Sequence, residues 1–130
     1  MVIDTSAVAA ILFDEPEAAT MERLLVEAPV RLVSAATVVE AGMVVEARLG
    51  EAGGREFDLW LQRAAIEVVP VDAEQAHLAR HAWRRYGKGR HRAGMNYGDC
   101  FSYALAIVRD EPLLFKGEDF SRTDVKRCAD

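Results

Sequence analysis

The chain has 130 residues, 51% of them hydrophobic, which is enough for one domain with a real core. Sixteen basic against 21 acidic residues give a net charge of −5, so a protein that holds nucleic acid through a global positive field is excluded. Two cysteines cannot build a disulfide framework, the start Met1-Val2-Ile3-Asp4 carries no basic leader, and no apolar run is long enough to span a bilayer; a single cytosolic domain over residues 1–130 is expected.

In chain order, Met1 to Asp4 is a short β-branched strand. Ser6 can cap a helix from Ala7 to Phe13. Asp14-Glu15-Pro16-Glu17 restarts a second helix, with proline in the first turn, where its missing N–H is harmless. Ala18, Met21, Leu24, Leu25 and Ala28 give that helix one apolar face. Arg31-Leu32-Val33 reads as a strand, and Ser34 caps a helix from Ala36 to Leu49 that Gly50 stops. Gly53-Gly54 opens another, with Phe57, Trp60, Leu61 and Ala64 at helical spacing. Glu67 to Val71 is a strand whose Pro70 suggests a sheet edge or a terminus. Asp72-Ala73-Glu74-Gln75 is a capping box for a helix that runs to Tyr86 and ends at Gly87. Lys88 to Met95 is a loop, and Asn96 caps a helix to about Asp110. Leu113-Leu114-Phe115 is a strand followed by the turn Lys116-Gly117-Glu118-Asp119, and a last short strand falls around Val125. Short strands alternating with helices predict an α/β fold with a parallel sheet covered on both faces.

Four carboxylates stand at the borders of these elements: Asp4, Glu40, Asp99 and Asp119. Each alone has an ordinary explanation. Asp4 is a helix cap, Glu40 a solvated helix residue, Asp99 an acid favoured by a helix dipole, and Asp119 a turn acid with Glu118 as its competitor. Glu40 fits its explanation least, because Val38, Val39, Ala41, Met43, Val44 and Val45 around it are apolar. In parallel α/β sheets, sites form at the carboxyl ends of strands, where Asp4 and the 116–119 turn both fall. Carboxylates gathered there repel, by roughly 4 kcal/mol per pair at ~4 Å and an effective dielectric of about 20. A divalent cation removes that cost. An oxygen-only acidic site suits Mg²⁺ or Mn²⁺, and such an ion is equipment for phosphoryl chemistry.

Between Gln75 and Gly98 stand six basic residues (Arg80, Arg84, Arg85, Lys88, Arg90, Arg92) and no acidic one. The loop from Lys88 to Arg92 reads equally as a solvated connection or a phosphate-tracking element. His77 and His81 lie four apart on a helix but lack a third zinc ligand. Ser6 and Ser102 have no His and Asp partners nearby in sequence, and Gly87-Lys88-Gly89-Arg90 is too short for a P-loop. Cys100, inside an apolar helix, reads as a core residue.

Met1-Val2-Ile3-Asp4-Thr5-Ser6-Ala7, Glu40, Asn96-Tyr97-Gly98-Asp99-Cys100-Phe101 and the ending Leu113 to Asp124 together resemble the PIN-domain family, and within it the VapC-type toxins of toxin–antitoxin pairs. The segment Tyr86 to Gly94 looks like one subgroup of these toxins. The resemblance spans essentially the whole chain. It implies a three-layer α/β/α sandwich around a parallel sheet of about five strands, and a Mg²⁺- or Mn²⁺-dependent endoribonuclease. Asp4, Glu40 and Asp99 match the family's metal-ligand positions, with Asp119 as the fourth catalytic acid. Thr5, Ser6 and Glu118 would support them by hydrogen bonding. Lys88, Arg90, Arg92 and Lys116 would hold the RNA backbone. The implied partners are a VapB-type antitoxin over the first helices, an RNA loop as substrate and a second copy in a homodimer, with no direct DNA binding and no membrane. A catalytically silent PIN-like binding module is the alternative. A phosphorelay receiver would need an aspartate ending a mid-chain strand, where residues 51–66 are helical by period. A haloacid-dehalogenase-type phosphatase would need a second aspartate where Ser6 stands.

Overall fold

The structure, a computed structural model, describes residues 1–128. Strand β1 (Val2–Ile3) leads to α1 (Thr5–Leu12) and α2 (Ala18–Glu27). Then come β2 (Leu32–Ser34), α3 (Ala35–Arg63), β3 (Glu67–Val69), α4 (Ala73–Tyr86), α5 (Tyr97–Arg109) and β4 (Leu113–Leu114), with a 3-10 turn at Phe120–Arg122. The four strands form one parallel sheet in the order β3-β2-β1-β4. The expected fifth strand is reduced to a single parallel bridge between Leu113 and Arg127. The tail there carries Asp124, Lys126 and Arg127, charges that suit an exposed edge better than an inner strand.

The sheet divides the core by the strand period of two. Val2, Leu32 and Leu113 point to the side filled by α4 and α5, with Tyr86, Met95, Tyr103 and Leu105. Their neighbours Ile3, Val33 and Leu114 point to the side filled by α1, α2 and α3, with Val8, Leu25, Val45 and Phe57. This is the three-layer α/β/α sandwich. Val2, Ile3 and Val33 are wholly buried, and each burial stabilises the sheet by about 1.5–3 kcal/mol.

Most helix ends obey local signals. Ser34 Oγ caps α3, Asp72 caps α4 by accepting from Gln75 N at 2.9 Å, and Asn96 caps α5. Only half of the box expected at Asp72 forms: the Gln75 side chain donates to Pro70 O instead. Helix α1 begins earlier than expected, capped by Asp4 and not by Ser6, because the Asp4 carboxylate takes the Ser6 N–H. Helix α2 begins later, at Ala18, which leaves Pro16 in the preceding turn. In α3 the break falls at Gly50, whose φ of 72° only glycine adopts freely, and helix resumes at once. The two halves fold back on each other there: a Cβ on Gly53 would lie 2.4 Å from Leu49 Cβ.

From β1 the chain moves outward through β2 to β3, then returns to place β4 on the other side of β1. The order therefore reverses between β1 and β4. In open α/β sheets the crevice outside the carboxyl ends of the strands at such a reversal is where ligands bind.

Candidate active site

Asp4 sits at that reversal, its backbone N–H bonded to Leu114 O at 3.0 Å. It is 3% exposed. Its Oδ2 accepts from Ser6 N at 3.0 Å and from Ser6 Oγ at 2.7 Å, and its Oδ1 accepts from Ser102 Oγ at 2.7 Å. Ser6 Oγ in turn accepts from Lys116 N at 3.0 Å, tying the end of β4 to the start of α1. Thr37 Oγ1 lies 3.3 Å from Ser102 Oγ. The Ser102 proton is committed to Asp4, so Thr37 is the donor. A carboxylate surrounded only by donors has a fixed orientation.

Asp99 is the third helical residue of α5 and completes a capping box. Its Oδ2 accepts from Asn96 N at 3.0 Å while Asn96 Oδ1 accepts from Asp99 N at 3.1 Å. One carboxylate oxygen is thus anchored and the other left for a ligand. Burial pushes the Asp99 carboxyl up to about 7; the Asn96 N–H pulls it back, and the charges of Asp4, Asp119 and Glu40 push it further up. The other three acids named from the sequence therefore all stand near enough to act on Asp99.

Glu40 reaches the site from the second turn of α3. Thr5 Oγ1 donates to its Oε1 at 2.5 Å. Its carboxylate lies so close over Gly98 that a Cβ there would meet Glu40 Oε2 at 2.0 Å. Asp119 opens the 3-10 turn without capping it, so its carboxylate makes no cap bond. Asp119 is among the charges acting on Asp99, whereas Glu118 lines a groove of about 500 Å³ with Met21, Leu24, Phe115 and Arg127.

The basic candidates have differing surroundings. Lys116 Nζ stands 3.2 Å from Glu15 Oε2 and 3.2 Å from Glu17 Oε2, so it pins the α1–α2 turn to the end of β4. The Glu17 contact is an ion pair without a well-aimed hydrogen bond. Arg90 lays its guanidinium 4.7 Å from the centre of the Trp83 ring, and Arg92 gives its carbonyl to Arg122. Lys88 is exposed. Burial pushes the Cys100 thiol up to about 11, with the Asp99 charge adding to the effect, which disfavours the thiolate there.

Ser102 and Thr37 are the site residues that sequence reasoning missed, since Ser102 was weighed only as a hydrolase nucleophile. The available signal was spacing: Ser102 follows Asp99 by three residues and so shares its helix face. Ser102→Ala leaves Asp4 Oδ1 buried without its donor. Expected is a loss of about 1–3 kcal/mol in denaturant unfolding, and a 10–100-fold weaker divalent-ion affinity by calorimetry.

Among the described residues, no three His, Cys, Asp or Glu side chains are already gathered at metal-ligand spacing. The acids form an open, all-oxygen set of uncompensated charge. That fits Mg²⁺ or Mn²⁺ better than a metal needing a closed protein cage, since Mg²⁺ keeps several waters and binds through one or two carboxylates.

A buried aspartate at the reversal, an Asn-capped aspartate facing it and a glutamate laid over the glycine between define one arrangement, and comparison with known proteins gives it a place. The PIN domain family matches residues 1–126. The chain belongs to the PIN-domain family. Within it, the chain falls among the VapC ribonucleases. It is 63% identical over 125 residues to Ribonuclease VapC of Mycolicibacterium smegmatis, covering 96% of this chain and 97% of the relative. It is 59% identical over 129 residues to Ribonuclease VapC30 of Mycobacterium tuberculosis, covering 99% and 98%. The fold of this PIN domain is also that of VapC20 of Mycobacterium tuberculosis, described as a Sarcin-Ricin loop cleaving toxin, with a TM-score of 0.78, 20% identity and 95% of each chain covered. VapBC2 of Rickettsia felis, solved with a DNA fragment from its promoter, matches with a TM-score of 0.74 and 16% identity, over 97% of this chain and 94% of that one. Among the described residues of this PIN domain, no helix is long and apolar enough to cross a membrane.

Proposed function

We propose that this VapC-type PIN domain hydrolyses RNA phosphodiester bonds with Mg²⁺ or Mn²⁺ held by Asp4, Asp99 and Glu40, and Asp119 nearby. The observation that carries this reading is the geometry at the reversal between β1 and β4: Asp4 held there by Ser6 and by Ser102 of α5, and Glu40 laid over Gly98 next to Asp99. When bound, the ion supplies charge neutralisation at the phosphate and a more acidic water.

The chain's own residues do the rest. Ser6 and Ser102 hold both oxygens of Asp4, so its position does not depend on the ligand. The capping box fixes Asp99 in the same way. Glu40, held by Thr5, orients the attacking water and takes its proton. A water nucleophile leaves a 5′-phosphate and a 3′-hydroxyl. Lys88, Arg90 and Arg92 steer the RNA backbone without reading its sequence. Lys116 acts by its backbone N–H on Ser6.

The protein works as the toxin of a toxin–antitoxin pair in the cytosol, as a homodimer. A VapB-type antitoxin lies over α1 and α2. The groove beside α2 with Glu17 and Glu118 among its lining residues supports such a seat for a segment bearing arginine, which would compete with the cation for the carboxylates. The exposed apolar side chains of Val39 and Met43, one turn apart on α3 beside Glu40, support the homodimer.

The test is cleavage of total cellular RNA by antitoxin-free protein in Mg²⁺, in Mn²⁺ and in EDTA, with the new ends mapped. Expected are discrete cuts bearing 5′-phosphates, abolished by EDTA. Cutting that persists in EDTA, or folded protein that binds the ion and cuts nothing, rejects the reading.

A further inference from the structure

One face of α5 carries Asp99 and Ser102 toward the carboxylates; another faces α4. Between the two helices runs an apolar groove of about 420 Å³, lined by Arg80, Trp83 and Arg84 of α4 and Tyr97, Cys100 and Phe101 of α5. The aromatic rings in it are open to water: Trp83 is 43% exposed and Tyr97 81%. Tyr97 stands edge-on to Phe101, their centres 4.9 Å apart, and Arg90 covers one face of Trp83. Arg80, Arg84 and Arg90 are exposed, and among the described residues none of the three pairs with a carboxylate. All of the groove's lining residues but Cys100 and Phe101 fall in the stretch from Gln75 to Gly98 that holds six basic residues and no acid, in a chain whose net charge is −5.

That mixture selects its occupant. An apolar protein surface would satisfy the rings but strand three guanidinium groups, at a desolvation cost the contact cannot recover. A single strand of RNA satisfies both: its bases offer π faces to Trp83 and Tyr97, and its phosphates offer acceptors to the arginines. Tyr97 and Asp99 belong to the same first turn of α5 on different faces, so the groove opens within one helical turn of the carboxylates. A base can lie flat on these rings only when it is free of a duplex stack. We propose that the α4–α5 groove seats an unpaired base of the RNA substrate, stacked on Trp83 and Tyr97 with its phosphates on the flanking arginines. This rests on the ribonuclease reading and names the residues that hold that site's substrate.

The test is binding of a labelled RNA hairpin with an unpaired loop, and of a fully paired duplex of equal length, measured by fluorescence anisotropy in EDTA. The proteins are wild type, Trp83→Ala, Tyr97→Ala and the conservative Tyr97→Phe. Cleavage in Mg²⁺ and solution mass by light scattering are followed in parallel. Both alanine variants are expected to bind the loop about 5- to 150-fold more weakly, the range for loss of one stacked base, while duplex binding is unchanged and Tyr97→Phe behaves as wild type. Cleavage should show the same split, with KM raised and kcat kept. Unchanged loop binding in both alanine variants overturns the groove while metal-dependent cutting leaves the ribonuclease standing. Loop binding lost as expected, but with no cutting by wild type, upholds the groove and rejects the ribonuclease. A change in solution mass with loop affinity per site intact makes the groove a contact with a second copy and overturns the proposal.

Discussion

Asp99→Asn is expected to abolish cleavage and to stabilise the metal-free protein. On the proposed function Asp99 holds the ion, and its loss removes several kcal/mol of transition-state stabilisation, so activity should fall on the order of 10³-fold or more. Asparagine can still accept from Asn96 N, and the bond to Asn96 Oδ1 comes from the backbone N–H of residue 99, so the capping box keeps both bonds and α5 stays in place. Stability moves the other way because the Asp99 carboxyl is pushed up to about 7 in the fold from an ordinary value of 3.8, by burial first and by Asp4, Asp119 and Glu40 in addition. Below about 3.8 folded and unfolded chains both hold the proton. Between 3.8 and about 7 the folded chain holds it and the unfolded chain sheds it, so this group's contribution is lost as pH rises through about 7. Asp99 is only half-buried, and solvent screening reduces the effect to roughly 1–2 kcal/mol. At pH 8 without metal, Asp99→Asn should melt about 4–8 °C higher than wild type, and at pH 4 the two should converge. With Mg²⁺ at pH 8 the wild type should gain stability and the variant should not. A variant that melts lower at pH 8, or still cuts, would remove Asp99 from the acidic cluster. Asp4→Asn makes the contrast. Asp4 takes three hydrogen bonds, all from donors, and an amide turns one acceptor into a donor aimed at another donor, so activity and stability should fall together.

Gly98→Ala is the second large effect, and it acts through Glu40. The alanine methyl would lie 2.0 Å from Glu40 Oε2 and 2.5 Å from its carboxyl carbon. The atom in the way is the end of a flexible side chain, so the fold yields by moving the carboxylate off Thr5, not by moving α5. Alanine is also the better helix former, by about 1 kcal/mol. Expected are a Tm equal to wild type or higher, little change in KM, and kcat lower by about 10²-fold, the scale of a 1 Å misplacement of a catalytic group. Glu40→Asp shortens that side chain and vacates the space the methyl needs. The double variant Gly98→Ala with Glu40→Asp should then be no slower than Glu40→Asp alone. Fully additive losses, or a Gly98→Ala protein as fast as wild type, would show that Gly98 does not position Glu40.

Asp4 and Asp99 are legible in the sequence because each sits inside a local motif: a β-branched run followed by a cap for Asp4, and an Asn-x-x-Asp box for Asp99. Glu40 is legible only as an acid among apolar neighbours, and its grip by Thr5 is not legible at all. Ser102 escaped because a serine in an apolar helix has no local partner; its partner Asp4 lies at the other end of the chain. Asp4 displaced Ser6 as the cap of α1 for a similar reason, since the choice between two capping side chains depends on which oxygen faces the first N–H groups. Strands of two and three residues carry too little pattern to reveal their order, and the reduced fifth strand shows how easily an edge pairing fades to a bridge.

The sequence by itself determined the α/β class, most helix ends and which acids stand at the borders of the elements, because periodicity, capping and turn residues act within three or four positions along the chain. Only the tertiary structure decided the rest. It put the order reversal between β1 and β4 and brought Asp4, Glu40 and Asp119 within reach of Asp99. It also laid Glu40 over Gly98 and left Trp83 and Tyr97 bare among unpaired arginines. Those outcomes depend on Coulomb and packing contacts between residues far apart in the chain, and such contacts exist only once the sheet has set which strand ends are neighbours.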